Sequence, residues 1–475
     1  MKYDMLNKLK KSDLLKNGSL SMIGSILIRA VDLISIPIFT RILDTATYGR
    51  VSVFTTYTQI FMVILGLDFN GCVSRATLEY KERKQQFYSV TLFFSMMWTL
   101  LVIILFNTFH NLTENLLAMS QMEMNIMLIY SFCYFVILYK SAELIFTFQY
   151  KRNIAMSILM ALGNLCLSVV LVLGFFSGDR FLGKILGSSI PTVIIASAVF
   201  IRFMYRGKEF WNREYVTYAV KFSVPLIPHN LSHLILSNAD RIMIQNMVNN
   251  SASGIYALAH NIGVMMQVFT EGANNAWTPM LFRKLEANKR KQIRKEARIY
   301  LLGYSMMAIG VIAISPEILK IFAGKDFWEG INFVMWLCLA TYYIFVYQLY
   351  VNVEFYHKKT ALISLGTLMA AILNIILNFY GIPRFGYAFA AISTAVSYGG
   401  LVFFHYIILN YIIKDRVIDN MFTIITAIAM VPATYLIYLC RENVIYRIAL
   451  LVIYESVMIF IMIYMVKRMR ESISE

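Results

Sequence analysis

The chain has 475 residues, of which 59% are hydrophobic and 15% charged, against ~25% charged in an ordinary soluble domain. A chain this apolar cannot keep a wetted surface. It predicts a polytopic membrane protein with no room for a sizeable domain outside the bilayer, which excludes a soluble enzyme, a nucleic-acid-binding protein and a receptor with a large ectodomain. The formal net charge of +16 then reads as Lys and Arg gathered in loops on one side of a membrane.

A spanning helix needs ~20 apolar residues. Fourteen runs qualify: 17–40, 49–68, 87–108, 124–145, 154–175, 182–201, 219–247, 254–278, 299–319, 331–353, 361–380, 387–410, 421–439 and 446–466. The turns between them are short and carry Gly, Pro, Asn or Asp, as in Ser177-Gly178-Asp179 and Gly381-Ile382-Pro383. The first run lacks a small-residue cleavage site and is expected to be a true span. With the N-terminus inside, 30 of the 43 Lys and Arg fall in inner segments and nine, Lys184 among them, in outer ones. The densest inner loop runs from Arg283 to Arg298. This bias places both termini in the cytoplasm. The five cysteines show no CxxC and the six histidines no HExxH, so no metal, disulfide framework or cofactor is expected.

The chain echoes itself at a separation of about 205–210 residues. Leu159-Met160-Ala161 leading to Asn164 returns as Leu368-Met369-Ala370 leading to Asn374, and Arg180-Phe181 returns as Arg384-Phe385. Six spans per unit is an even number, so both units have the same topology and are related by an axis along the membrane normal. The expected fold is an all-α bundle of about fourteen transmembrane helices. It comprises an N-lobe over 1–213 (spans 1–6), a C-lobe over 214–414 (spans 7–12) and two added helices with a tail over 415–475. A central cavity is expected between the lobes.

Several spans carry polar residues in helical register. Span 1 holds Asn17, Ser21, Ser25, Arg29 and Asp32, and span 7 holds Lys221, His229, His233, Ser237, Arg241 and Gln245. Steps of three and four put each set on one helix face. Span 8 adds His260, Gln267, Glu271 and Asn274, span 4 adds Lys140 and Glu143, and span 11 adds Asn374 and Asn378. A charge at the bilayer centre costs at least ~2.5–3.5 kcal/mol, so such residues face a water-filled cavity or one another. The candidate cavity residues are Arg29, Asp32, Lys140, Glu143, His229, His233, Arg241 and Glu271. The competing reading is structural: Arg29 with Asp32 and Lys140 with Glu143 as closed ion pairs, and Asp240 with Arg241 at the outer interface. Pro225 and Pro228 each remove a helix donor, which predicts a kink or break near the start of span 7 and a candidate hinge there.

The stretch Phe222-Ser223-Val224-Pro225-Leu226-Ile227-Pro228-His229-Asn230-Leu231-Ser232, continuing to Asn238-Ala239-Asp240-Arg241-Ile242, resembles the seventh span of bacterial polysaccharide exporters. Asn17-Gly18-Ser19 and the Thr40-Arg41-Ile42-Leu43 to Tyr48-Gly49 passage resemble the opening of the same proteins. These are the O-antigen and capsule repeat-unit flippases of the multidrug/oligosaccharidyl-lipid/polysaccharide superfamily. The resemblance covers about 10–410. It implies a transporter, not an enzyme, that moves undecaprenyl-pyrophosphate-linked oligosaccharide across the bacterial inner membrane by alternating access. Arg29, Lys140 and Arg241 would offer charge-assisted hydrogen bonds to the pyrophosphate. The implied partners are membrane lipids, a polysaccharide polymerase with its chain-length machinery, and H+ or Na+ as coupling ion. Two relatives within the superfamily remain alternatives, an ion-coupled multidrug antiporter and a lipid II flippase.

Overall fold

The computed structural model describes Val31 and residues 33–474, and every regular element among them is helical. Chain contacts divide the protein into two compact units, residues 1–234 and residues 235–475.

In the first unit, α1 (Leu33–Ile42) is the described end of the first predicted span; most of that run, with Arg29 and Asp32, lies outside the described residues. Asp44 caps α2 (Thr45–Gly66), its carboxylate accepting from the Thr47 amide at 3.3 Å. This span was expected to end near 68. Instead Leu67 and Asp68 both enter the left-handed region, with φ of 49° and 53°, and the chain continues through a 3-10 turn, Phe69–Cys72, into α3 (Val73–Glu79). The two legs meet at 57°. Then come α4 (Lys84–Thr108), a short α5 (His110–Leu117) and α6 (Gln121–Phe146). α6 opens on a capping box of Ser120 and Glu123. α7 (Tyr150–Val170) ends in a π turn over Leu171–Phe175. It packs closely on α8 (Arg180–Gly207): a Cβ on Gly187 would sit 2.2 Å from Ser168 Cα. Small residues at such crossings let helix backbones approach, which is how helices associate in lipid. The core of this unit is aromatic, with Tyr88, Tyr139 and Phe203 edge to face at 5.7–5.9 Å, an arrangement worth about 0.5–1.5 kcal/mol per pair beyond area burial.

Span 7 is broken at its prolines. α9 (Arg213–Ser223) gives way to a 3-10 turn, Val224–Leu226, before α10 (Ile227–Met247). Pro191, Pro316 and Pro432, by contrast, sit inside uninterrupted helices.

The second unit continues with α11 (Asn250–Glu286), α12 (Arg290–Phe322), α13 (Val334–Tyr356) and α14 (Thr360–Phe385). α15 (Phe389–Ile407) ends in a π turn over Ile408–Ile413. α16 (Asn420–Leu439) and α17 (Val444–Ser474) complete it. The basic run Arg283–Arg298 is not the loop that charge alone suggests. Most of it extends α11 and opens α12, joined by a three-residue connection, because Lys, Arg, Glu, Gln and Ala are good helix formers and Lys284 pairs with Glu296 across the turn. α13 is the axis of this unit, with 78% of its apolar window buried, while in α17 only 6% is buried. Fully buried Arg447 holds α17 to α12 by a fork onto Glu317 and a bond to the Ala313 carbonyl at 2.6 Å.

Ten described helices are long and apolar enough to cross a membrane, and the bent α2–α3 pair makes an eleventh. α10 and α11 have the length but are too polar to pass the same test. Their polar rows are the cause, and they direct attention to the site.

Candidate functional site

Asp240 of α10 is 1% exposed, enclosed by its neighbours rather than reaching for solvent. Its Oδ2 accepts from Tyr256 Oη of α11 at 2.5 Å and from Thr394 Oγ1 of α15 at 2.7 Å, and its Oδ1 accepts from Asn378 Nδ2 of α14 at 2.5 Å. Asn378 donates also to Asn374 Oδ1 at 3.2 Å, and Ser393 donates to Asn378 Oδ1. Four helices thus converge on one carboxylate through neutral donors. A buried charge is tolerated on this condition, that its lone pairs are met. The two asparagines of span 11 stand out in the sequence; Tyr256 and Thr394 carry no such signal, since a lone hydroxyl in an apolar run is ordinary.

Arg241, the next residue on α10, turns away from Asp240 because successive helical side chains diverge by about 100°. It is 8% exposed, and its Nη2 lies 2.9 Å from His260 Nδ1 and donates to Asn261 Oδ1 at 3.1 Å. Ser253 donates to the Arg241 carbonyl at 2.9 Å. Arg241 is therefore built into its unit.

Lys140 and Glu143 close on each other one turn apart in α6, and Lys140 Nζ also sits 4.9 Å from the Phe203 ring centre. Of the two readings open to this pair, the geometry is that of a closed ion pair against the aromatic core. His229 is half-buried and His233 exposed on α10, and Lys221 is exposed on α9. Glu271 is exposed on α11. Among the described candidates, Lys140 meets Glu143 in the first unit and Arg241 meets His260 in the second. Beside the span 7 break, Asn230 donates to Asp68 Oδ2 at 2.7 Å. The break in span 7 is thereby linked to the break in span 2, which the sequence did not reveal.

The first unit holds a cavity of about 430 Å³ lined by Ser35, Thr58, Gln59, Tyr134, Asn164 and Lys184, among others. Lys184 lies near the start of α8, with Nζ 3.8 Å from the Phe39 ring centre and donating to Ser168 Oγ at 3.3 Å. The same walls carry Phe39, Ile137, Leu138, Met160 and Leu165, so the lining mixes hydrogen-bonding groups and one cation with apolar side chains. Among the described residues no three His, Cys, Asp or Glu side chains converge as a metal-ligand set.

Comparison with known proteins agrees with this architecture. A Haemophilus influenzae protein described as an uncharacterized membrane protein is 25% identical over 370 residues, covering 76% of this chain and 88% of that protein. The solved lipid II flippase MurJ, in an inward-closed conformation, superimposes with a TM-score of 0.68 at 15% identity, over 96% of this chain and 100% of its own. An inward-facing multidrug resistance MATE family transporter of the MOP superfamily superimposes with a TM-score of 0.61 at 13% identity, over 81% and 95%. At these identities the likeness is one of fold. The family described as polysaccharide biosynthesis protein matches residues 14–285, more than half of the chain. With a fold shared by membrane transporters and flippases rather than enzymes, this multi-pass membrane protein belongs to the polysaccharide biosynthesis protein family.

Proposed function

We propose that the protein flips undecaprenyl-pyrophosphate-linked oligosaccharide units, of O-antigen or capsule type, from the inner to the outer leaflet of the bacterial inner membrane by alternating access. The observation that carries this reading is the family match over 14–285 on a flippase-like fold. The hydroxyls and amides in the lining of the first unit's cavity support a saccharide cargo. Arg29, Lys140 and Arg241 are the proposed pyrophosphate contacts, the latter two reaching it from the partners that hold them within their units, with Asp32, Glu143, His229, His233 and Glu271 as further polar contacts. Product units would pass to a polymerase and its chain-length machinery. A lipid II flippase is the second reading, favoured by the full-length likeness to MurJ; a MATE-like antiporter is the third.

Deletion of the gene in a strain that makes a surface polysaccharide tests the first reading. The expected result is loss of surface polymer with lipid-linked units accumulating on the inner leaflet. Intact surface polymer with arrested peptidoglycan synthesis would move the assignment to lipid II, and heightened drug sensitivity alone would move it to the antiporter.

A further inference from the structure

A second pair of ionisable side chains lies buried in residues 235–475, separate from the Asp240 network. His405 of α15 and Glu354, in the last turn of α13, are both 0% exposed, with Nδ1 and Oε1 2.8 Å apart. The remaining polar atoms of the pair, His405 Nε2 and Glu354 Oε2, have no hydrogen-bond partner among the described residues. The cause is steric. α14 presses on the imidazole at Gly366, where a Cβ would lie 3.1 Å from Nε2, and only the missing side chain leaves room for the ring. Tyr347 of α13 stacks on the other side at 5.9 Å, and the Phe404 ring lies edge-on at 5.4 Å.

Other charged groups near this end of the unit pair among themselves. Asp415 accepts from Arg290 of α12 at 3.0 Å and lies 2.9 Å from His357 Nε2, at the end of α13. The ionisable residues of α14 beyond Gly366, Tyr380 and Arg384, sit near its far end. Among the described residues no lysine or arginine forms an ion pair with Glu354 as Arg447 does with Glu317; Lys358 and Lys359, four and five residues further on, are exposed.

A proton can balance the pair. A neutral imidazole beside a bare carboxylate carries a net charge of −1 with a single hydrogen bond, which an apolar pocket disfavours strongly. One added proton makes the pair neutral overall, whether it rests on Glu354 Oε1 or on His405 Nδ1. Once water reaches the pair, the carboxylate can be solvated and the proton released.

We propose that His405–Glu354 is a proton site that links the packing of α13 and α15 to proton binding. One proton is taken from water when the pair is wetted, held between Oε1 and Nδ1 while the helices are closed, and returned to water when they open. The basic turn Lys358–Lys359 marks the end of α13 at which water would enter. The proton site does not depend on the identity of the cargo; its coupling to export rests on the proposed function.

Hydrogen exchange of the full chain in lipid nanodiscs tests the site. After correction for the chemical rate, amides at the C-terminal ends of α13 and α15 should exchange roughly tenfold faster at about pH 9 than at about pH 6. Glu354→Gln, a permanently neutral carboxamide, should exchange slowly at both. His405→Gln should also flatten the response, and His357→Gln should leave it intact. A pH-independent wild type overturns the proposal even if no variant folds. A response that survives Glu354→Gln, or that disappears with His357→Gln, overturns it as well. In cells, Glu354→Gln at normal protein level should lower surface polymer about tenfold; unchanged export would sever the site from transport. Should gene deletion itself leave surface polymer intact, the proposed function fails while the exchange result stands.

Discussion

The two units solve the same packing problem with different chemistry at corresponding positions. In the first, Asn164 of α7 reaches Thr192 of α8 at 3.4 Å; in the second, Asn374 of α14 reaches Thr394 of α15 at 3.4 Å. The anchor is shared, as the internal repeat expects. What surrounds it is not. Around Asn374 the space is closed by Asn378, Ser393, Tyr256 and the Asp240 carboxylate. Around Asn164 it stays open as a cavity with Lys184 on its wall. One unit has filled the site with a buried anion and its donors, while the other has kept space and a cation. The difference teaches that two helix pairs with the same Asn–Thr contact can carry opposite electrostatics.

The comparison can be broken most severely through the first span. Arg29→Ala should abolish surface polysaccharide at normal protein level, and Arg29→Lys should restore it in part, since the charge survives and the planar fork is lost. Normal export by Arg29→Ala would remove its pyrophosphate role. Next in size is the closed site. Asn378→Leu strips a donor from a buried carboxylate and should cost about 2–3 kcal/mol in thermal or denaturant stability, whereas Asn164→Leu, at the open site, should cost about 1 kcal/mol or less. Equal losses at the two asparagines would show that the sites are not chemically distinct.

The span 7 break should have a kinetic effect. Pro225→Ala with Pro228→Ala restores helix donors and should preserve stability, yet slow export about tenfold if the barrier between conformations rises by about 1.4 kcal/mol. Export measured beside cysteine labelling at Ser237 from each side would reveal it; normal export with two-sided labelling would reduce the prolines to packing. The smallest effect is expected at Lys184. Lys184→Met keeps most of the stem that packs on Phe39 and should change stability by no more than about 1 kcal/mol, while weakening any anion contact in the cavity. A collapse of the fold in that variant would make the lysine structural and end the contrast with Asp240.

The sequence was most informative where the determinant is local. Apolar runs of sufficient length fix most spans, because each helix satisfies its own backbone in lipid. Pro225 and Pro228 announced the break at Val224–Leu226, and steps of three and four announced the polar faces of α10 and α11. The polar rows that made these helices legible as functional also kept them from resembling ordinary spans. The bend after Gly66 left no such trace. Leu67 and Asp68 are unusual left-handed residues, and neither is a glycine or a proline that would flag one.

What the sequence alone determined, then, is the membrane class, most of the spans and the polar helix faces. Each is encoded within about twenty neighbouring residues by hydrophobicity and helical period. Which polar groups meet was decided only by tertiary structure. Asp240 finds Asn378 and Thr394 138 and 154 residues away, and Glu354 finds His405 51 residues away. Periodicity says that a face is polar but not what stands opposite it. Inside a membrane the partner is as often a hydroxyl, an amide or an imidazole as an opposite charge, and only the packing of distant helices selects among them.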